Sequence, residues 1–166
     1  MRYRSIAVGL ALVCIAHASL AAESAIVRIS KVPPRPTLDA VLIPANAATL
    51  LLSGQTPSPL DPAKIDGPDD FGDTRQQAED VFAKIKVLLE KQGWSMRDVV
   101  KLNVYLAAEP KLGAADFAAM NAVYAKYFGT ADNPVLPART VVEVKAFGRA
   151  GYRVEIEAIA ARVNAK

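Results

Sequence analysis

One arginine, a pair of carboxylates, a Ser-Gly step and a helical amide are the groups in this sequence that could do chemistry. Arg139 follows Pro137-Ala138 and opens a β-branched run, so its fork can project from a strand end into a cleft rather than lie along a solvated helix. A guanidinium holds a carboxylate through two parallel hydrogen bonds, which a lysine cannot reproduce; the alternative for any single arginine is a surface ion pair. Glu155 and Glu157 stand two apart in a β-rich run and so share one strand face. A carboxylate beside a bound water can relay protons in a hydrolysis, although a solvated strand face is an equal reading of the pair. Ser53 and Gly54 close a short apolar run, where a hydroxyl, backbone amides and a missing side chain admit a ligand, or where the glycine serves only a turn. Asn121 interrupts the apolar side of a helical stretch between Met120 and Tyr124; an amide buried there needs partners, from a loop or from a cleft.

The N-terminus narrows this chemistry. Arg2 and Arg4 give a positive start, Ile6 to Ala16 is almost unbroken apolar sequence, and Ser19-Leu20-Ala21 offers small residues for cleavage after Ala21. That is the pattern of an export signal over residues 1–21, too short in its apolar part to span a bilayer. The mature protein is therefore expected to be periplasmic or secreted, with no membrane attachment. Cys14 and His17 are the only cysteine and histidine of the 166 residues, and both fall in the signal. Their loss excludes a cysteine nucleophile, a Ser-His dyad, a disulfide framework and a zinc site built on Cys or His. The signal also takes Arg2 and Arg4 and no acid, which lowers the net charge from +3 to +1. A near-neutral chain without clustered lysine and arginine is not expected to bind nucleic acid.

The elements that must position these groups form an α+β pattern in one domain. Residues 22–47 contain Pro33, Pro34, Pro36 and Pro44 and read as an N-terminal extension with edge strands at Ile26–Ser30 and Val41–Ile43; the domain proper is 48–166. Thr49–Ser53 reads as a buried strand stopped by Gly54. Prolines 57, 59, 62 and 68 then mark a long loop, of the kind that is often functional. Asp73-Thr74-Arg75-Gln76 has the form of a capping box, and Ala78, Val81, Phe82, Ile85, Leu88 and Leu89 recur at helical spacing up to Gly93. So wide an apolar stripe must lie on a sheet. Val99–Leu106 alternates as a half-buried strand, and Asp116–Phe128 is a second helix whose aromatic residues read as core rather than as a stacking platform. Thr140–Ala146 and Tyr152–Val163, with Gly148 and Gly151 between them, read as an antiparallel pair.

Ser53-Gly54-Gln55, the helix from Gln76, Asn121-Ala122-Val123-Tyr124, Pro137-Ala138-Arg139-Thr140 and Glu155-Ile156-Glu157-Ala158-Ile159-Ala160 occur in this order. Together they resemble the RidA (YjgF/UK114) family from about Leu50 to Ala161. The resemblance implies a chorismate-mutase-like fold, a mixed sheet with two helices packed on one face, assembled as a homotrimer with clefts between subunits. It also implies hydrolysis of reactive enamines and imines of the 2-aminoacrylate type to 2-keto acids and ammonia, without metal or organic cofactor. On this resemblance Arg139 holds the small carboxylate substrate, Glu155 handles water and protons, and Ser53, Gly54 and Asn121 complete the binding site. Two positions depart from the deaminase branch. Val141 stands where that branch often has cysteine, and Arg35-Pro36-Thr37-Leu38 lacks its tyrosine after a Gly-Pro pair. These losses suggest a different substrate, and they keep open a non-catalytic protein of the same fold that binds small carboxylates.

Overall fold

The computed structural model describes residues 25–163; the predicted export signal lies outside them. Six strands follow in the order β1 (Val27–Ser30), β2 (Leu38–Leu42), β3 (Ala48–Gln55), β4 (Val99–Leu106), β5 (Ala138–Glu143) and β6 (Val154–Arg162). Two helices, α1 (Thr74–Lys91) and α2 (Phe117–Tyr124), join β3 to β4 and β4 to β5. The strands form one sheet in the spatial order β1-β2-β5-β4-β6-β3.

Helix α1 begins as its sequence predicts. Asp73 accepts from the Gln76 backbone N–H at 2.9 Å while the Gln76 side chain accepts from the Asp73 N–H at 3.1 Å, which satisfies two otherwise open donors. Ala78, Val81, Phe82, Ile85 and Leu89 are fully buried against Leu102, Val104, Leu106, Ile156, Ala158 and Ala160. Both helices therefore cover one face of the sheet. The period-2 alternation of β4 and β6 turns Lys101, Asn103, Tyr105, Glu155, Glu157 and Ile159 to the other face, where they are half-exposed.

Three expectations about these elements need correction. The last two strands run in opposite directions but do not pair: β4 lies between them, parallel to β5 from Lys101↔Ala138 to Leu106↔Glu143 and antiparallel to β6 from Lys101↔Ile159 to Leu106↔Val154. Because α2 carries the chain over as a parallel crossover, β5 takes one edge of β4, and residues 144–153 must then pass the end of β4 to reach its other edge. The Val144 N–H donates to Leu106 O at 2.8 Å and the Ala107 N–H to Arg153 O at 3.0 Å, holding that passage. Secondly, β3 is neither buried nor stopped by Gly54. It is the outer strand and runs on to Gln55 through a register shift after Leu52; Leu50 and Leu52 pack against the core while Leu51 is 70% exposed. Thirdly, α2 ends at Tyr124 rather than Phe128. Lys126 and Tyr127 donate three residues back, to Val123 O and Tyr124 O, and Gly129 follows with φ 72°. This tighter last turn lets Tyr127 stack on Phe82 and Phe128 on Tyr124, with ring centroids 4.9 and 5.0 Å apart.

One polar side chain inside the apolar stripe of α1 ties the fold together near the start of β6. Gln77 is fully buried. Its amide donates to Gly72 O at 3.0 Å and Gly151 O at 2.7 Å and accepts from the Arg153 N–H at 2.7 Å. The Arg153 guanidinium donates to Gly72 O at 2.6 Å and lies 3.3 Å from the Glu109 carboxylate, which in turn accepts from the Thr74 N–H and hydroxyl. Gln77→Leu leaves one buried donor and weakens the pairing of two carbonyls, and should cost roughly 3 kcal/mol, since each buried unpaired group costs about 1–3 kcal/mol. Urea unfolding of the variant measures this; an unchanged midpoint would mean that water replaces the amide.

Candidate functional site

Arg139 projects from β5 on the helix-covered side, in register with Leu102. Its Nη2 donates to the Asn121 amide oxygen at 2.7 Å, and its guanidinium lies 4.1 Å over the ring of Tyr124. The stacking combines a cation with an aromatic face. Tyr124 itself donates through its hydroxyl to Pro36 O at 2.8 Å, so the segment between β1 and β2 is fastened beside the arginine. Burial pushes the Tyr124 phenol up to about 12, with the Arg139 charge acting in the opposite sense. Burial likewise pulls the Arg139 guanidinium below its ordinary value, but an arginine in this setting keeps its charge. The Arg139 Nη1 is buried and has no hydrogen-bond partner among the described residues. One nitrogen is thus held by Asn121 and one face by Tyr124, while the Nη1 donors are left without a partner.

Asn121 was expected to be a buried amide; it is exposed, on the solvent side of α2, and its partner is Arg139. Val141, two residues beyond Arg139 on the same strand face, packs against the core and adds no polar atom to this neighbourhood.

Glu155 lies on the other face of the sheet. Its partner across the ladder is Tyr105, and Leu102, the partner of Arg139, is three residues from Tyr105 along β4. An odd separation on an uninterrupted strand means opposite faces. The structure therefore brings Arg139 to Asn121 and Glu155 to Gly54, but it does not bring the two pairs together within one protomer. Gly54 is explained by Glu155 rather than by a turn: its φ is not positive, and a Cβ built on it would fall inside the Glu155 carboxylate. Ser53 points into a separate depression of about 300 Å³ that it shares with Lys101, Asn103 and Glu157.

The two carboxylates, alike in sequence, differ in structure. Glu157 accepts from the Asn103 amide and from the Tyr105 hydroxyl, both at 3.1 Å. Glu155 accepts no side-chain or backbone donor among the described residues, and with Tyr105, Val144, Ala146 and Phe147 it lines a depression of about 250 Å³ that Glu157 also borders. Glu155 is thus the carboxylate left available for a ligand or water. Sequence reasoning missed Tyr124, Tyr105 and Asn103; each sits at a position whose period assigns it to a core or a solvated face, and only the register across strands shows its partner. Among the described residues no three of Asp, Glu, His and Cys gather as metal ligands.

The close fit of Gly54 and Glu155 yields a direct check. Gly54→Ala should keep the fold by circular dichroism and displace the Glu155 carboxylate in a crystal structure. A carboxylate unmoved, with β3 shifted instead, would mean that the edge strand is the softer partner.

The family model described as Endoribonuclease L-PSP matches residues 40–162. A RutC family protein of Pyrococcus horikoshii is 41% identical over 111 residues, covering 67% of this chain and 77% of that protein. The 2-iminobutanoate/2-iminopropanoate deaminase of Escherichia coli is 34% identical over 113 residues, covering 68% and 79%. Among solved structures, Escherichia coli TdcF with bound serine superposes with a TM-score of 0.54 at 26% identity, covering 82% of this chain and 99% of that one. The chain belongs to the Endoribonuclease L-PSP family, that of the RidA and YjgF proteins.

Proposed function

We propose that this protein is an exported imine and enamine deaminase that converts imino acids of the 2-aminoacrylate type to 2-keto acids and ammonia. The observation that carries the reading is the buried, unpartnered Nη1 of Arg139 beside a nitrogen already fixed by Asn121. A guanidinium oriented on two sides, with a nitrogen still unpaired, suits a carboxylate, the group common to such substrates. The relative that bears the name of an imine deaminase adds support.

Hydrolysis needs water at the imine carbon and a proton on the nitrogen. In the proposed course an enamine first takes a proton from solvent on carbon to become the protonated imine. Glu155 then takes a proton from water as its oxygen bonds to the carbon, giving a carbinolamine. The same carboxyl returns the proton to nitrogen, the C–N bond breaks, the hydroxyl loses its proton, and ammonia leaves from a keto acid. Because Arg139 and Glu155 occupy opposite faces of one sheet, the reading requires a second copy of the chain. We place the site between subunits of a homotrimer, Arg139 and Asn121 from one and Glu155 on Gly54 from its neighbour. The helix-free sheet face, with Leu51 70% and Val142 40% exposed, is suited to burial in such an assembly.

A binding protein for small carboxylates is the second reading. It is favoured by Val141, which contributes no polar atom, and by the segment before β2, where the carbonyl of Pro36 takes up the Tyr124 phenol. One assay separates the two. Imino acids generated by an amino-acid oxidase are trapped with semicarbazide, and the protein should accelerate their loss. Arg139→Ala should lower kcat/KM by about 100-fold, and Arg139→Lys should recover little, since the lost interaction is a charged, directional one. Unchanged decay over a range of imino acids, together with a carboxylate-dependent rise in Tm, would support the binding reading instead.

A further inference from the structure

The helix-free face holds an arrangement that the assignment of Glu155 does not by itself account for. Two glutamates alternate on β6 with Ile156 between them, so their Cβ atoms are separated by about two strand rises, roughly 6–7 Å. Both side chains border the same depression. Either carboxylate could take up a water there, so which one serves as the base depends on which is already engaged by other donors. In this structure only one of them is tethered. The phenol of Tyr105, which is directly across the ladder from Glu155, reaches past it to donate to Glu157 at 3.1 Å, and Asn103 donates to the same oxygen at 3.1 Å. The Tyr105 hydroxyl is pushed above its ordinary value, first by this hydrogen bond to Glu157 and then by burial and the charges of Glu157 and Glu155. The Tyr105 ring meanwhile forms one wall of the depression in which Glu155 lies.

We infer that Tyr105 is a positioning residue for the hydrolytic water: by tying Glu157 down it leaves Glu155 as the single carboxylate free to exchange protons with water at that end of the site. The inference rests on the deaminase reading, and it supplies a phenol to a face of the molecule where the sequence resemblance names none. The tether has a chemical purpose, because a base and acid acting in turn must be one group, and a neighbour already engaged by two donors competes less for the water. Asn103 alone cannot serve as well, since it leaves the Glu157 carboxylate free to turn about one hydrogen bond.

The test is a double-variant cycle in the full mature protein, with kcat and KM measured separately. Tyr105→Phe should lower kcat by about 10-fold, a typical share for a proton-transfer contribution, and leave KM unchanged, because Arg139 still holds the carboxylate. Glu157→Gln should have a small effect alone. Combining the two should return kcat to within about twofold of Glu157→Gln, since with no second carboxylate there is nothing to restrain. A merely structural tyrosine would move KM and Tm with kcat and would not be rescued. The inference is overturned if Tyr105→Phe retains wild-type kcat, or if the losses multiply in the double variant. If the wild type itself hydrolyses no imino acid, the deaminase reading fails, and the positioning role falls with it; an active wild type with an indifferent Tyr105→Phe sinks the positioning role alone.

Discussion

The alternation of side chains along a β-strand is the constraint on which the account of this protein depends. Arg139 pairs with Leu102 and Glu155 with Tyr105, and three residues along β4 separate opposite faces of a sheet. No rotamer change moves a side chain through a sheet. The arginine therefore shares its surroundings with α2, through Asn121 and the ring of Tyr124, whereas the glutamate shares the helix-free face with Tyr105 and Asn103. A reaction that uses both groups has to be completed by another copy of the chain, so assembly and chemistry become one question in this fold.

Each of the two groups is held by its own local device. On the helix side, Tyr124 serves twice: its ring supports the guanidinium and its hydroxyl fastens the carbonyl of Pro36, so β1 and β2 are anchored to the same residue that orients the arginine. On the open side, the absence of a side chain at Gly54 makes the seat for the Glu155 carboxylate, and the bulge after Leu52 brings that glycine to it. Behind both lies the buried seam of Gln77, Arg153 and Glu109, which fixes the residue two before Glu155 to the start of α1. Strand β6 thus enters the sheet from a point tied to the start of α1.

Much of the fold was legible because local chemistry and global packing agree in it. The capping box at Asp73 and the stripe from Ala78 to Leu89 predicted α1, and the alternation from Val99 to Leu106 predicted a half-buried β4. What failed was adjacency. The runs that became β5 and β6 do have opposite directions, but a one-dimensional pattern does not reveal that β4 intervenes, since that depends on where α2 delivers the chain. Gly54 was misread for a similar reason: a glycine after an apolar run looks like a turn, and the side chain that needs its space lies about 100 residues away along the chain. Arg139, Asn121 and Glu155 were proposed with the help of motif resemblance, which names candidates for a site but not the face on which each stands. Tyr105 and Gln77 were hidden because their positions fit an ordinary strand and an ordinary helix stripe, and only their partners across the fold give them a role.

The most direct measurement is activity from mixed subunits. Arg139→Ala and Glu155→Gln proteins, each purified as an inactive assembly, are combined in equal amounts, unfolded and refolded together, and assayed for imino-acid hydrolysis. If each site takes Arg139 from one chain and Glu155 from its neighbour, random assembly leaves both residues intact in about a quarter of the sites, and roughly that fraction of wild-type activity should return. Activity no greater than that of the two variants refolded separately would contradict a site shared between subunits.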